Sequence, residues 1–275
     1  MIPWAAALEA ASRARVTLVL GPSDTGKTSL TTRLAAALAE RGPTAVVDAD
    51  LGQSEIGPPT TIGLGRARPH LARLADAEVL ALEFVGTITP VRNMKGTTRA
   101  TKALVERALA AGFERVVVDT CGLVAGGLGQ AFRRAQIDLV APDLLVALQR
   151  AGEVEHILAV YVAAGRPPLV RLPPLDGVVK RSQAERRRRR ESALAAYFAA
   201  ARPVELAIER MAPGRARPED TLDDTLVGML DEHGETLGIG RVAAIDLPAG
   251  RVTIVTPVAA ARIATVTVGS EKYRA

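Results

Sequence analysis

The chain has one cysteine, Cys121, so no disulfide can form within it. A lone thiol fits a reducing compartment and predicts a cytoplasmic location. Aromatic residues make up only 3% of the 275 residues, and Trp4 is the one tryptophan. Any stacking of bases would fall to a few rings such as Tyr161, Tyr197 and Phe198. Long apolar runs are missing as well. The run over 79–82 is strand-sized, far below the roughly eighteen residues that cross a bilayer. No membrane partner is expected. Met1-Ile2-Pro3-Trp4 shows no basic region followed by an apolar stretch, which predicts no secretory signal. Lysine is confined to Lys27, Lys95, Lys102, Lys180 and Lys272, so nearly all positive charge is arginine. His70, His156 and His233 are scattered without metal-ligand spacing and read as structural or surface residues.

The residues that are present describe an ordinary globular chain, with 48% hydrophobic and 24% charged residues. The length suits one large domain or two smaller ones. A net charge of +5 favours an anionic partner.

Apolar, β-branched stretches over 16–20, 45–47, 79–85, 115–119 and 144–148 read as buried strands. Residues 28–41, 98–111 and 153–164 have helical spacing, each stopped by a glycine. Such alternation predicts a parallel sheet covered on both faces. The loops at Gly21, Asp48, Gly86 and Asp119 then gather at the carboxyl ends of the strands, where such sheets bind ligands. After Ala201 the texture changes to short strands over 226–230, 239–245, 251–255 and 262–268, with a turn at Asp231-Glu232-His233-Gly234.

Gly21-Pro22-Ser23-Asp24-Thr25-Gly26-Lys27-Thr28 matches the Walker A pattern in full and is followed by Ser29. The glycines allow a tight loop whose backbone N–H groups point at phosphate oxygens. The following helix adds the positive end of its dipole. Lys27 can reach the β- and γ-phosphates, and the Thr28 hydroxyl can ligate Mg²⁺. This segment identifies nucleotide binding and leaves the acceptor open.

Two strands end on acids, in Val46-Val47-Asp48-Ala49-Asp50 and in Val116-Val117-Val118-Asp119. An acid there can hold Mg²⁺ through water or accept the proton of an attacking hydroxyl. Asp48 and Asp50 are two apart and share a side in an extended chain, which suits one metal-shell acid and one base.

These pieces together resemble the polynucleotide 5'-hydroxyl kinases of RNA processing. The resemblance rests on the Walker A loop and on Asp48-Ala49-Asp50-Leu51-Gly52-Gln53, similar to the family's Asp-x-Asp-x-Gly-Gln. It continues through Gly57 to Gly63, Phe84 to Pro90 and Asp119-Thr120-Cys121-Gly122, and ends with an arginine-bearing lid from Arg181-Ser182 to Tyr197-Phe198. It implies an α/β P-loop NTPase fold with a mostly parallel sheet flanked by helices. The kinase domain would cover 1–200, with the lid over about 180–200, and a small β-rich C-terminal subdomain would cover 201–275. It implies transfer of the γ-phosphoryl of ATP or GTP, with Mg²⁺, to the 5'-hydroxyl end of RNA, and of DNA as a second acceptor. Asp50 would face the acceptor hydroxyl, and Asp48 would lie nearer the metal. Gln53, Thr120, Gly122, Leu123 and Arg181 would embrace the nucleic-acid end. Leu123 stands where family members often carry a Trp that clamps that end.

The run Arg186 to Arg190 turns through more than a full circle on a helix, so its members cannot all face one site. Arg186 and Arg190 are four apart and share a face. With Lys27 and Asp50 they are the expected catalytic residues. A planar guanidinium suits a transferring phosphoryl because it can bridge two oxygens. Cys121 reads as a small packing residue. The alternatives are a P-loop NTPase or small-molecule kinase, and a non-catalytic nucleotide-bound scaffold.

Overall fold

The computed structural model describes residues 4–212 and 222–274; Met1 to Pro3 of the N-terminal reading lie outside them. The chain opens with α1 (Ala5–Arg13), β1 (Val16–Leu20), α2 (Lys27–Ala39) and β2 (Thr44–Ala49). β3 (Thr61–Arg66), β4 (Glu78–Phe84), α3 (Met94–Ala110) and β5 (Arg115–Thr120) follow. Next come α4 (Gly126–Val140), β6 (Leu144–Leu148), α5 (Glu155–Ala164), β7 (Leu169–Leu172) and α6 (Gln183–Phe198). The remainder is β8 (Arg202–Ala207), β9 (Met211–Ala212), β10 (Thr225–Leu230), β11 (Thr236–Asp246), β12 (Arg251–Thr256) and β13 (Thr265–Lys272).

All thirteen described strands join one sheet, whose main path is β7-β6-β1-β5-β2-β3-β4-β11-β10-β13-β9. The first five of that path are parallel. β3 runs against both neighbours and so restores β4 to the direction of β2. The sheet is therefore mixed. β3 escapes sequence reading because Gly63 and Gly65 weaken its strand signal. A Cβ at Gly63 would collide with the backbone carbonyl of Ile56, so the glycine is required by that close approach. Neither α1, α4 nor β7 stands out in the sequence. α4 is hidden by its glycine-led start, Gly126-Gly127.

Side chains alternate across the parallel strands and feed two cores. Leu18 and Leu20 pack in one cluster and Val19 in the other. The first cluster takes Leu104 and Ala108 of α3 and Ile137 of α4. The second takes Leu30, Leu34 and Leu38 of α2 and Ala7 and Ala11 of α1. A third core, with Val227, Val242, Ile254 and Val266, belongs to the C-terminal strands. Those strands meet the rest of the sheet at Thr236 of β11, opposite Leu82 of β4.

α6 starts where a capping box sets it. Ser182 Oγ accepts from the Glu185 N–H at 3.2 Å, and the Glu185 carboxylate accepts from the Ser182 N–H at 2.6 Å. Such a cap contributes about 1 kcal/mol and fixes the helical phase of the arginines.

Candidate active site

The glycine loop closes the carboxyl end of β1. A Cβ at Gly21 would strike the carbonyl of Leu148 at the end of β6. Gly26, at φ +88, caps α2 from the left-handed region. A loop of this kind running into a helix N-terminus is an anion-binding geometry. Lys27 is 7% exposed, and its Nζ donates to the Pro22 carbonyl at 2.8 Å. Burial holds its pKa below the usual lysine value, opposed by the charges of Asp119 and Asp50.

Beside it, Thr28 Oγ1 donates to Asp119 Oδ2 at 2.6 Å, and Thr31 Oγ1 to Asp119 Oδ1 at 3.2 Å. The sequence points to Asp48 as the acid nearer the metal; the structure instead places Asp119 against Thr28. Asp48 lies opposite Asp119 in the β2–β5 register, but its carboxylate is occupied by the chain that follows. It accepts from the N–H groups of Asp50 at 3.1 Å, Glu55 at 2.6 Å and Ile56 at 3.1 Å. Asp48 thus shapes the 50–56 loop. Burial pushes the pKa of both acids up, and for Asp48 the Asp119 charge adds to it. The hydroxyl and carboxylate of Thr28 and Asp119 are hard oxygen donors, the set Mg²⁺ favours. Among the described residues no group of three or more His, Cys, Asp or Glu could hold a metal. Phosphate and water oxygens would complete such a shell.

The acceptor side follows β2. Asp50 Oδ1 accepts from the N–H groups of Gly52 and Gln53, both at 3.0 Å. This local turn holds the carboxylate in place. Gln53 Nε2 donates to the carbonyls of Gly52 at 2.6 Å and Arg186 at 2.9 Å. Its Oε1 is buried without a hydrogen-bond partner. A buried acceptor left unmade costs about 1–3 kcal/mol.

The 120–123 segment lies against the glycine loop, since a Cβ at Gly122 would run into Ser23. Thr120 and Gly122 line the cleft, but the Thr120 hydroxyl is engaged, donating to the Val19 carbonyl at 2.7 Å. Leu123 is not in the lining; its carbonyl accepts from Arg133 Nε at 3.1 Å.

From α6, Arg186 donates to Ser23 Oγ at 3.1 Å and to Asp24 Oδ2 at 2.6 Å. The Arg181 N–H also donates to Asp24 Oδ2, at 3.4 Å. Arg190 does not join them. It lines a second cleft across α6, and Arg189 lines the first, 3.8 Å from Glu55. At about 100° per residue, Arg189 and Arg190 lie on opposite flanks of the stripe through Arg186.

Lys27, Thr28, Asp50, Gln53 and Arg186 all line one cleft of about 550 Å³. Of two residues behind it, the sequence marks Asp119 and misses Arg133. Asp119 is recognisable there as a strand-end acid without an assigned partner. Arg133 is wholly buried, donating to the carbonyl and Sγ of Cys121, to the Leu123 carbonyl and to the Gln136 side chain. It holds the 121–123 segment from behind. Its helical spacing with Gly129, Gln136, Ile137 and Val140 is the signal, visible once 126–140 is read as a helix.

A glycine loop after a parallel strand, a buried lysine, a hydroxyl–carboxylate pair and an arginine-bearing helix over the cleft define a P-loop nucleotide-binding protein. The chain belongs to the family described as mRNA cleavage and polyadenylation factor CLP1 P-loop, which it matches over residues 21–200. It is 30% identical to the polyribonucleotide 5'-hydroxyl-kinase of Pyrococcus horikoshii, over 88% of this chain and 81% of that protein. It is 28% identical to the polyribonucleotide 5'-hydroxyl-kinase of Pyrococcus furiosus, over 88% of this chain and 82% of the relative. Its fold is similar to that of a chain in the wild-type Clp1p–Pcf11p complex, with a TM-score of 0.72 at 14% identity, covering 94% of this chain and 74% of that one.

Proposed function

We propose that the chain transfers the γ-phosphoryl of ATP or GTP to the 5'-hydroxyl end of RNA. One observation carries this reading. The cleft that holds Lys27 and Thr28, the donor side, also holds Asp50 and Gln53, and Arg186 bridges the two. The names of the archaeal relatives support the same acceptor.

The residues divide the work as follows. The glycine loop and Lys27 bind the triphosphate. Thr28 and Asp119 would hold Mg²⁺, which would offset the negative charge of the triphosphate. Asp50, held by two N–H groups through Oδ1, accepts the proton of the 5'-hydroxyl as it attacks in line. Gln53 Oε1 takes a hydrogen bond from the acceptor end. Arg186 leaves Asp24 for the moving phosphoryl and stabilises its developing charge. Asp48 organises the loop that carries Asp50.

The test is incubation with γ-labelled ATP or GTP and a 5'-hydroxyl oligonucleotide, as RNA and as DNA. Label on the RNA is expected. ATP hydrolysis without transfer would support a plain NTPase, and nucleotide binding with neither reaction would support a scaffold. Asp50→Asn is expected to abolish transfer while sparing ATP binding; unchanged transfer would remove Asp50 from the role of base.

A further inference from the structure

We infer that the second cleft, between α6 and the end of β13, binds the phosphodiester backbone of a single-stranded acceptor downstream of its 5' end. The inference rests on the kinase reading above and extends its acceptor site.

The cleft has a volume of about 280 Å³. The two clefts share no lining residue but adjoin through two elements. α6 is a shared wall, with Arg186 and Arg189 lining the first cleft and Arg187 and Arg190 the second. The loop after β4 is the other link. Gly52 of the acceptor loop packs so closely that a Cβ there would stand 2.8 Å from the Ile88 carbonyl, and Ile88 lines the second cleft. Gln53, on the rim of the first cleft, is bonded to the Arg186 carbonyl of the shared wall at 2.9 Å. A strand whose first hydroxyl meets Asp50 would cross the Gln53 side of this seam to reach the second cleft.

The charge of the cleft matches such a strand. Arg92, Arg187, Arg190, Lys272 and Arg274 line it against only Glu191 and Glu271. Both acids are paired, Glu271 with Arg92 at 3.3 Å and Glu191 with Arg187 at 2.7 Å. Arg190 and Arg274 form no ion pair among the described residues. Lys272 and Arg274 are two apart at the end of a strand and share a side in an extended chain. Guanidinium groups so placed recognise phosphate oxygens whatever the base, and contacts of this kind need no aromatic platform. That fits a chain with 3% aromatic residues.

The experiment uses the full chain and the double variant Lys272→Ala/Arg274→Ala. Both side chains are exposed, so folding is not at stake. Binding of a 5'-hydroxyl dinucleotide and a dodecanucleotide is measured by fluorescence anisotropy across a salt series, and phosphorylation of each is followed. The unsubstituted protein should bind the dodecamer more tightly. In the variant, dodecamer affinity should fall about tenfold and its salt slope by about 1.4, from two lost phosphate contacts. Dinucleotide binding and phosphorylation should stay unchanged. Equal affinity of the unsubstituted protein for both acceptors, an unchanged dodecamer in the variant, or equal losses for both would overturn the inference. Tight, length-dependent binding with no phosphorylation of either acceptor would sink the kinase reading and leave the cleft assignment standing.

Discussion

The two halves of the sheet put strand direction to different uses. In the parallel half, β1, β2, β5 and β6 all run one way, so their carboxyl ends open on a single edge. Gly21, Asp50 and Asp119 meet there because the topology allows nothing else. In the C-terminal half, β10 to β13 alternate in direction and gather no such edge. That half contributes a wall instead. The end of β13 lines the second cleft, and Glu271 accepts from Thr87 Oγ1 at 3.2 Å and the Ile88 N–H at 3.5 Å, bracing the loop beside Gly52. Parallel strands concentrate chemistry at one edge, while antiparallel strands extend and support it.

The most forceful way to break this comparison is to remove one acid from each half. Asp119→Asn should lower the rate of transfer to a dinucleotide about 100- to 1000-fold, the cost of losing one preorganised electrostatic contact. Glu271→Gln should cost less than about fivefold, since it acts on a supporting loop through hydrogen bonds that an amide partly replaces. Steady-state kinetics on both variants decides it. Comparable losses would mean that the C-terminal half takes a direct part in the chemistry.

A second comparison sets two tight glycines side by side. Gly63→Ala drives a Cβ into the backbone carbonyl of Ile56, which cannot move without disturbing the Ile56 N–H bond to Asp48. Gly228→Ala in β10 meets the Phe84 side chain rather than backbone, so the strain falls on side-chain packing. Gly63→Ala should cost about 3 kcal/mol and Gly228→Ala about 1 kcal/mol by urea unfolding, the range for overpacked cores. Gly63→Ala should also reduce transfer, because it shifts the loop that Asp48 organises. The reverse order of stability would show that β3 is the more compliant of the two.

What the sequence disclosed follows the same division between local and long-range features. The glycine loop is legible because its chemistry lies in eight consecutive residues, Gly21 to Thr28. Asp48 to Gln53 is legible as a segment. Which acid meets Thr28 is not, because that depends on the register pairing Asp48 with Asp119 across two strands. The helical phase of Arg186 to Arg190 can be worked out in advance, but the stripe that faces Ser23 and Asp24 is set by how α6 docks. The C-terminal strands announce themselves by alternation and by the Asp231–Gly234 turn. Their junction with β4 does not, since it rests on the single pair Thr236 and Leu82.

Acid should affect the halves in opposite senses. Burial raises the pKa of Asp48 and Asp119 in the fold, so the folded state favours their protonated forms. Their contribution is full below the ordinary carboxylate pKa and is lost as the pH rises through neutrality. Asp231 is the reverse case: N–H bonds, led by that from Glu235, hold its pKa down. Its contribution is present above the ordinary value and is lost as the pH falls. The Tm of the nucleotide-free protein should therefore decline by a few degrees between mildly acidic and mildly alkaline pH, and Asp48→Asn should flatten that slope. Asp231→Asn should leave the alkaline limb untouched. A slope unchanged by Asp48→Asn would mean that this acid is ionised in the free protein.

The smallest effect lies at the seam. Arg107 of α3 donates to both oxygens of Glu235 just before β11, at 2.8 and 3.1 Å, an exposed pair that, beside Arg92–Glu271, ties the two halves together. Its geometry is bidentate, yet the side chains are 43% and 51% exposed, and solvent screens such pairs to about 0–1 kcal/mol. A larger apolar contribution comes from Phe84, packed against the cluster of Leu194 of α6 and Leu226 and Ile239 of the C-terminal strands. Arg107→Ala should destabilise the chain by less than about 1 kcal/mol, with the loss vanishing at high salt as the Debye length shrinks. Phe84→Leu should cost more and keep its cost in salt. If Arg107→Ala instead separated unfolding into two transitions, the halves would be held together by charge, and the continuous sheet would describe hydrogen bonding without describing cooperativity.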